Sequence, residues 1–457
     1  MTQTSPETGR FVPEQRRQPT RQSILADVAE VVRQELAAKR PFMPGNTVVP
    51  YAARVYDERE VVALTEASLE FWLTAGRWAR RLEKGLAATV GQTHSRLVNS
   101  GSSANLIAVS ALTSSYLGER RLRPGDEVIT VAAGFPTTVA PIMQNGLVPV
   151  FVDVDLATAN IDPSLIEAAV GPRTRAIALA HTLGNPFDLD AVLDVCRRHD
   201  LFLIEDTCDA LGSLWHGRPV GGFGDLSTSS FYPAHHITTG EGGAVHVTDP
   251  DLERAVSSFR DWGRDCWCDP GKSDTCGDRF TQCFGELPRG YDHKYVYSHF
   301  GYNLKMTDLQ ASIGVRQLER LPEFTADRQR NHSRLVAALD GCRDVLQLPE
   351  ATPGSDPSWF GFLMSVRPDA PFTRDELRDR LEDGRIQTRL FFAGNMLRQP
   401  MFAEHVAAGT GYRVVGDLHR TDQLMESAVM VGCYPGLTDV EIDYIAEVIS
   451  EFINERR

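Results

Sequence analysis

The chain has 457 residues, of which 42% are hydrophobic, 8% aromatic and 24% charged, the make-up of a globular protein long enough for two or three sizeable cores. A formal charge of -14 at pH 7 and a pI near 5.4 argue against nucleic acid or an anionic membrane as a partner, so any anionic ligand must be gripped by a local pocket. No apolar run reaches the ~18 residues of a membrane span, and the first twenty residues are polar with Pro6, Pro13 and Pro19 instead of a secretory signal, so a cytoplasmic protein is expected.

Residues 1–40 read as a polar arm followed by an amphipathic helix from Arg21 to Lys39, with Ile24, Leu25, Val28, Val31, Val32 and Leu36 on one face. Prolines at 41, 44 and 50 give an extended entry, and helical patterning then runs from Glu58 through Leu86. From Arg96 onward, short apolar runs alternate with helical segments: Arg96-Leu97-Val98, Glu127 to Val131, Val148 to Val152, Ala176 to Ala180 and Leu201 to Ile204. Such runs predict a mostly parallel sheet covered by helices on both faces, a doubly wound α/β architecture. Pro322 opens a long helix that leads to a smaller α+β lobe, where Phe360 to Val366 reads as a strand and Thr438 to Asn454 as a closing helix with Thr438 and Glu441 at capping-box spacing. The expected division is an arm and helix over 1–40, a large domain over 41–325 and a small C-terminal domain over 326–457, sharing a cleft.

Eight cysteines stand at 196, 208, 266, 268, 276, 283, 342 and 433, unevenly spread in a chain without a secretory signal. This fits metal or redox use better than a disulfide framework. Cys208, Cys266, Cys268 and Cys276 follow one another with 57, one and seven residues between, the last three inside a Cys-rich loop over 263–285. That spacing matches neither the common zinc patterns nor the plant-type ferredoxin pattern, and leaves zinc and iron-sulfur both open.

Three further segments carry polar chemistry at the ends of elements. In Asn99-Ser100-Gly101-Ser102-Ser103-Ala104-Asn105 a strand gives way to a helix, and a helix start of small residues is an anion site. Asp206 ends the run Leu203-Ile204-Glu205-Asp206, where a carboxylate at the C-terminal edge of a parallel sheet meets a ligand in the crevice. Ser229 to Gly243 contains Ser230, His235 and His236 but no lysine, and the whole chain has only Lys39, Lys84, Lys272, Lys294 and Lys305.

Together with Gly134-Phe135-Pro136, His181 to Pro186 and Gly301 to Ala311, these segments resemble the DegT/DnrJ/EryC1/StrS sugar aminotransferase family over roughly residues 40 to 455. The resemblance implies an aspartate aminotransferase-type PLP fold. Gly101, Ser102, Ser103 and Ser230 would form its phosphate cup, Asp206 would pair with the pyridinium nitrogen, and Phe135 would stack on the ring. Asn303 would reach the cofactor of a neighbouring subunit, which implies a homodimer with shared active sites. His235 stands where the family carries its lysine, and Asp209 where Gln or His is usual. Schiff-base chemistry needs an amine, whereas an imidazole only moves protons or binds metal, so the departure points to pyridoxamine phosphate (PMP) as cofactor and His235 as catalytic base.

The cysteine pattern, with Pro270-Gly271, Arg279-Phe280 and Gly290 to Tyr295, is similar to the 2Fe-2S segment of the CDP-4-keto-6-deoxyglucose 3-dehydrases and their TDP-sugar relatives within that family. This resemblance implies cluster ligands Cys208, Cys266, Cys268 and Cys276, with Cys283 as an alternative fourth. If the chain is extended past Asp206, the two residues to Cys208 span about 6.6 Å, close to the cofactor ring. The implied reaction is C3 deoxygenation of a nucleotide-linked 4-keto-6-deoxyhexose, with electrons from a reductase, ferredoxin or flavodoxin. The arginine-rich composition favours a TDP-4-keto-2,6-dideoxyglucose substrate over the CDP sugar. A PMP sugar dehydratase without a cluster and a non-catalytic, zinc-bearing family member are the alternatives. Arg389 and Arg398 are the candidates for gripping the nucleotide diphosphate.

Overall fold

The computed structural model describes residues 19–38 and 41–457; the polar arm expected before Pro19, and Lys39, lie outside the described residues. Helix Arg21–Ala37 begins at Thr20, whose hydroxyl accepts from Ser23 N in a capping box. The long helical stretch expected from Glu58 to Leu86 is two helices, Glu58–Glu70 and Arg77–Val90. Phe71 takes a left-handed conformation (φ 52°) that ends the first. The second is started from far along the chain, because the Asp308 carboxylate accepts from the N–H groups of Gly76 (2.9 Å), Trp78 (3.2 Å) and Ala79 (2.7 Å).

The central sheet has eight strands in the order His94–Val98, Gly243–Val247, Leu226–Ser230, Phe202–Asp206, Thr174–Ala180, Glu127–Val131, Val148–Val152 and Arg413–Val414. Gly243–Val247 runs antiparallel to both of its neighbours, and the remaining pairings are parallel. Alternate side chains enter opposite cores: Ile177, Leu179 and Leu203 pack in one, Ala176, Ala178, Phe202 and Ile204 in the other. Both faces are therefore dry, as the near-continuous apolar runs predict. Burying these faces, at about 25 cal/mol per Å2 of apolar area, is the main force that fixes the sheet and hence the strand ends at the site.

Helix Leu321–Leu339, with Pro322 in its first turn, leads to an antiparallel sheet in the order Leu346–Gln347, Gly361–Val366, Ala428–Gly432 and Arg389–Leu390. Helices Arg374–Asp383 and Asp439–Asn454 cover it through Leu377, Leu381, Ile442, Ile445 and Ile449. The capping box of Thr438 and Glu441 is present. Between these elements the chain returns to the large sheet as the edge strand Arg413–Val414, and Val49 bridges Ile386, so the segments before 326 and after it are interleaved. Among the described residues no helix is long and apolar enough to cross a membrane.

Candidate active site

The C-terminal ends of Phe202–Asp206 and Thr174–Ala180 open on an inner cavity of about 300 Å3, bounded by Gly101, Phe135, Asp206, Cys208, Ser230 and His235. Asp206 is buried and held on three sides. Its Oδ2 accepts from Asn105 Nδ2 and Thr138 Oγ1, each at 2.8 Å, and its Oδ1 accepts from Cys208 N at 3.1 Å. Asn105 is oriented in turn by Thr228 Oγ1, which donates to its Oδ1 at 2.6 Å. A carboxylate locked this way is a fixed negative charge facing the cavity. Its neighbour Glu205 points the other way and is structural: it accepts from Gly221 N (2.9 Å), Phe223 N (2.8 Å), Gly224 N (2.6 Å) and His181 Nε2 (3.0 Å). Burial opposes ionisation of Glu205, but these donors hold its carboxyl below the usual range.

Helix Gly101–Leu112 points its N-terminus at the same cavity. Ser100 is its cap, accepting from Ser103 N at 3.1 Å and donating to Ser103 Oγ at 3.0 Å, so Ser103 serves the cap while Gly101 and Ser102 line the cavity. A Cβ on Gly101 would lie 2.4 Å from Ser230 Cβ and 3.0 Å from Cys208 Sγ, so only glycine leaves this cradle open. Ser230 is the last residue of the strand Leu226–Ser230 and not part of a loop, which fixes its hydroxyl against the helix start. Small residues, a positive helix end and a hydroxyl together suit a phosphate.

Past Asp206 the chain turns instead of extending: Cys208 N folds back on Asp206 and Ala210 N donates to Thr207 O at 2.9 Å. The 6.6 Å span expected for an extended dipeptide therefore does not apply, yet the turn still brings the Cys208 side chain to the cavity wall. Burial first, then the Asp206 carboxylate, pushes its thiol well above the ordinary range.

His235 sits in the turn after the strand Leu226–Ser230, its N–H donating to Tyr232 O at 2.9 Å and its ring tilted against Phe360, 5.3 Å away. Nδ1 lies 3.3 Å from Asp209 Oδ1, out of line for a hydrogen bond. Its carbonyl accepts from Arg328 Nη2 at 3.2 Å, and the same fully buried guanidinium donates to the carbonyls of Trp359 (3.1 Å) and Phe360 (3.2 Å). Arg328 thus ties the His235 turn to the entry of the strand Gly361–Val366, a role its sequence neighbourhood does not announce. His236 faces the protein interior, its Nε2 2.7 Å from Ser358 O, and burial holds its ring well below the ordinary imidazole range.

An outer chamber of about 1030 Å3 adjoins the inner cavity, with Phe135, Tyr232, Phe360 and Phe392 lining both. Phe135 is half exposed and meets Phe392 edge to face at 6.3 Å. Arg389 borders this chamber, 5.4 Å above the Tyr51 ring, and Arg54, which the sequence reading passed over, stands at the same mouth. Arg398 does not line it: its guanidinium forks onto Asp422 (2.8 and 3.2 Å) on the surface, so its charge is already engaged. Asn303 is exposed and does not line the inner cavity of its own chain.

The cysteines are not gathered. Cys266 and Cys268 line a different cavity, Cys276 Sγ lies 3.9 Å from His293 Nδ1, Cys283 is exposed, and Cys196, Cys342 and Cys433 are buried. Among the described residues no group of three or more His, Cys, Asp or Glu side chains is arranged to hold a metal, so the four expected ligands do not fit a cluster within one chain.

Comparison with known proteins agrees with the fold. The chain is 53% identical over 430 residues to the dTDP-4-dehydro-2,6-dideoxy-D-glucose 3-dehydratase of Saccharopolyspora spinosa, covering 94% of this chain and 91% of that one. It is also 53% identical over 432 residues to the lipopolysaccharide biosynthesis protein RfbH of Salmonella typhimurium, covering 94% and 98%. The solved structure of the E. coli GDP-4-keto-6-deoxy-D-mannose-3-dehydratase with bound hydrated PLP superposes with a TM-score of 0.78 at 28% identity, covering 88% of this chain and all of the other. The family model for the DegT/DnrJ/EryC1/StrS aminotransferases matches residues 55–450, and the chain belongs to that family.

Proposed function

We propose that this protein removes the C3 oxygen of a nucleotide-linked 4-keto-6-deoxyhexose, with PMP in the inner cavity and dTDP-4-keto-2,6-dideoxyglucose as substrate. The observation that carries the reading is His235 in the turn at the mouth of a cavity that keeps the Asp206 carboxylate and the Gly101 cradle and that no lysine among the described residues lines. The relatives named as 3-dehydratases of 4-keto sugars support the reaction class, and the 53% identity to the dTDP-sugar enzyme supports the nucleotide.

PMP, when bound, supplies an amine for the C4 ketone and a ring that draws electron density from the sugar. The residues divide the remaining work. The helix start at Gly101 and Ser102, with Ser230, would hold the phosphate; Asp206 would pair with the ring nitrogen and favour its protonated form; Phe135 closes one side of the inner cavity. His235 would take the proton whose removal drives out the C3 hydroxyl and return it to the leaving oxygen, which departs as water, with the Asp209 carboxylate 3.3 Å from its Nδ1. Arg389 and Arg54 offer the positive charge at the outer chamber for a diphosphate.

Net deoxygenation breaks the C3–O bond, releases water and requires two electrons and two protons. A 2Fe-2S cluster on Cys208, Cys266, Cys268 and Cys276 and an external reductase, ferredoxin or flavodoxin belong to this reading, as does a homodimer in which Asn303 reaches a neighbouring cofactor. No step is assigned to the cluster, because one chain does not bring the four sulfurs together. The same observation favours a second reading, a cluster-free PMP dehydratase that finishes by losing ammonia. Iron and acid-labile sulfide analysis of anaerobically purified protein separates them: iron with matching sulfide supports the first, their absence the second. About one zinc per chain in place of iron would remove the redox role, because zinc carries no electrons.

A further inference from the structure

A buried cation stands behind the candidate base. Arg328, on helix Leu321–Leu339, is 1% exposed, and its partners are backbone carbonyls instead of carboxylates. Nη1 donates to Trp359 O (3.1 Å) and Phe360 O (3.2 Å), and Nη2 to His235 O (3.2 Å). Taking a guanidinium out of water with no carboxylate against it is costly, and a neutral amide would serve one or two carbonyls at less cost. What the guanidinium adds is shape. Its nitrogens lie in one rigid plane and fix the spacing between two separate segments of chain.

Both segments bear on His235. One is the turn itself, held at the His235 carbonyl. The other carries Phe360, whose ring lies 5.3 Å from the imidazole and lines the inner cavity beside it. His235 Nδ1 is buried without a hydrogen bond among the described residues, so that nitrogen does not fix the ring. The imidazole is placed by its backbone and by the Phe360 face, and Arg328 grips both.

The rest of the helix face holds the same strand entry without touching His235. Gln329 Nε2 donates to Asp356 Oδ1 (2.7 Å) and Pro357 O (3.2 Å), His332 stacks on Trp359 at 3.8 Å, and Asn331 Nδ2 donates to Tyr434 O (3.1 Å). His236 separately ties the turn to Ser358 O. The fold around the site is thus secured by other contacts, and the particular contribution of Arg328 is made at His235.

We propose that Arg328 is a positioning residue for the reaction, fixing the His235 imidazole for proton transfer by locking the His235 carbonyl and the Phe360 backbone into one unit. The proposal rests on the reading of His235 as the base and adds what holds that base in place.

A double-mutant cycle tests it, read as the rate of 18O entry from labelled water into C3 of dTDP-4-keto-2,6-dideoxyglucose at saturating PMP and sugar. Arg328→Met should lower that rate about 100-fold, the cost of a misplacement of about 1 Å, and Arg328→Lys, which keeps the charge and donors, about tenfold. The KM for the sugar and the Kd for PMP should stay within about twofold of wild type in both variants. In a His235→Asn background the same substitutions should change the residual rate by less than about twofold, because the residue they act through is gone. Equal losses in both backgrounds, wild-type exchange in Arg328→Met, or an Arg328→Lys rate no better than that of Arg328→Met would overturn the proposal. Failure of both variants to bind PMP would also overturn it, since Arg328 would then support the fold and not the base. Wild-type exchange in His235→Asn would instead defeat the underlying reading of His235.

Discussion

Asp209 Oδ1 lies 3.3 Å from His235 Nδ1 at the wall of the inner cavity, which both side chains line. Nδ1 is out of line for a hydrogen bond to it, so Asp209 acts on the ring as a neighbouring charge. His235→Asn should keep cofactor binding and lower turnover by about two to four orders of magnitude, the usual worth of a positioned base. Asp209→Asn should lower it by about 10- to 100-fold, less than loss of the base itself. Steady-state rates with a PMP absorbance titration check both. A His235→Asn enzyme of normal turnover would remove this residue from the chemistry. His236→Asn should leave the rate near wild type, because that ring is occupied with Ser358 O inside the protein.

Gly101→Ala isolates the phosphate cradle. The added methyl would come within 2.4 Å of Ser230 Cβ and 2.8 Å of Ser230 Oγ, in the space a phosphate needs. We expect the Kd for PMP to rise at least about tenfold, some 1.4 kcal/mol, with the helix and the sheet retained by circular dichroism. Unchanged PMP affinity would mean that the anion is held elsewhere.

Stability should fall on mild acidification, for a reason separate from catalysis. His246 bridges Ser95 Oγ (2.7 Å) and Ser229 Oγ (2.9 Å) between strands and His332 is buried in the long helix; burial lowers both to about 3, and His236 in the same direction. In the unfolded chain these imidazoles take protons near pH 6.5, so between that value and about 3 the unfolded state binds more protons and the fold loses stability as pH falls. The midpoint of thermal unfolding should therefore drop from pH 7 to pH 5, before the carboxylates titrate. His246→Gln should start lower at pH 7 and decline less steeply, and an unchanged slope would mean that this ring is not buried neutral.

The strands that read as apolar runs, such as Val148–Val152 and Thr174–Ala180, were legible because a sheet dry on both faces demands such runs. Leu226–Ser230 was not, because its sequence is Leu-Ser-Thr-Ser-Ser. It is nevertheless fully buried, since Ser227 donates to Gly221 O, Thr228 to Asn105 and Ser229 meets His246, so each hydroxyl has a partner that only the fold supplies. The break between residues 70 and 77 was hidden for a similar reason: its cap, Asp308, lies more than 200 residues away. Within the site, Asp206 could be picked out because it ends an apolar run, and Ser230 and His235 because their segment resembles the lysine-bearing segment of the family, whereas Arg328 and Thr138 act through contacts made across the fold. Asn105 stood inside the Asn99 to Asn105 segment, and an amide one helical turn past the helix start was the available signal. The cysteine spacing carried a ligand set but not its geometry, and one chain leaves Cys208 apart from Cys266 and Cys268.

The most direct measurement of the account is the product formed from dTDP-4-keto-2,6-dideoxyglucose by anaerobic wild-type protein with PMP and a low-potential reductant. Mass spectrometry should find a dTDP sugar that has lost the C3 oxygen and kept the C4 ketone, with water as the other product and PMP unchanged in amount. In 18O-labelled water without reductant, the recovered substrate should carry label at C3, because expulsion of the hydroxyl by His235 and the bound cofactor is reversible and precedes electron delivery. A 4-amino sugar formed at the expense of PMP, or substrate returned unlabelled and unreduced, would contradict the proposed deoxygenation.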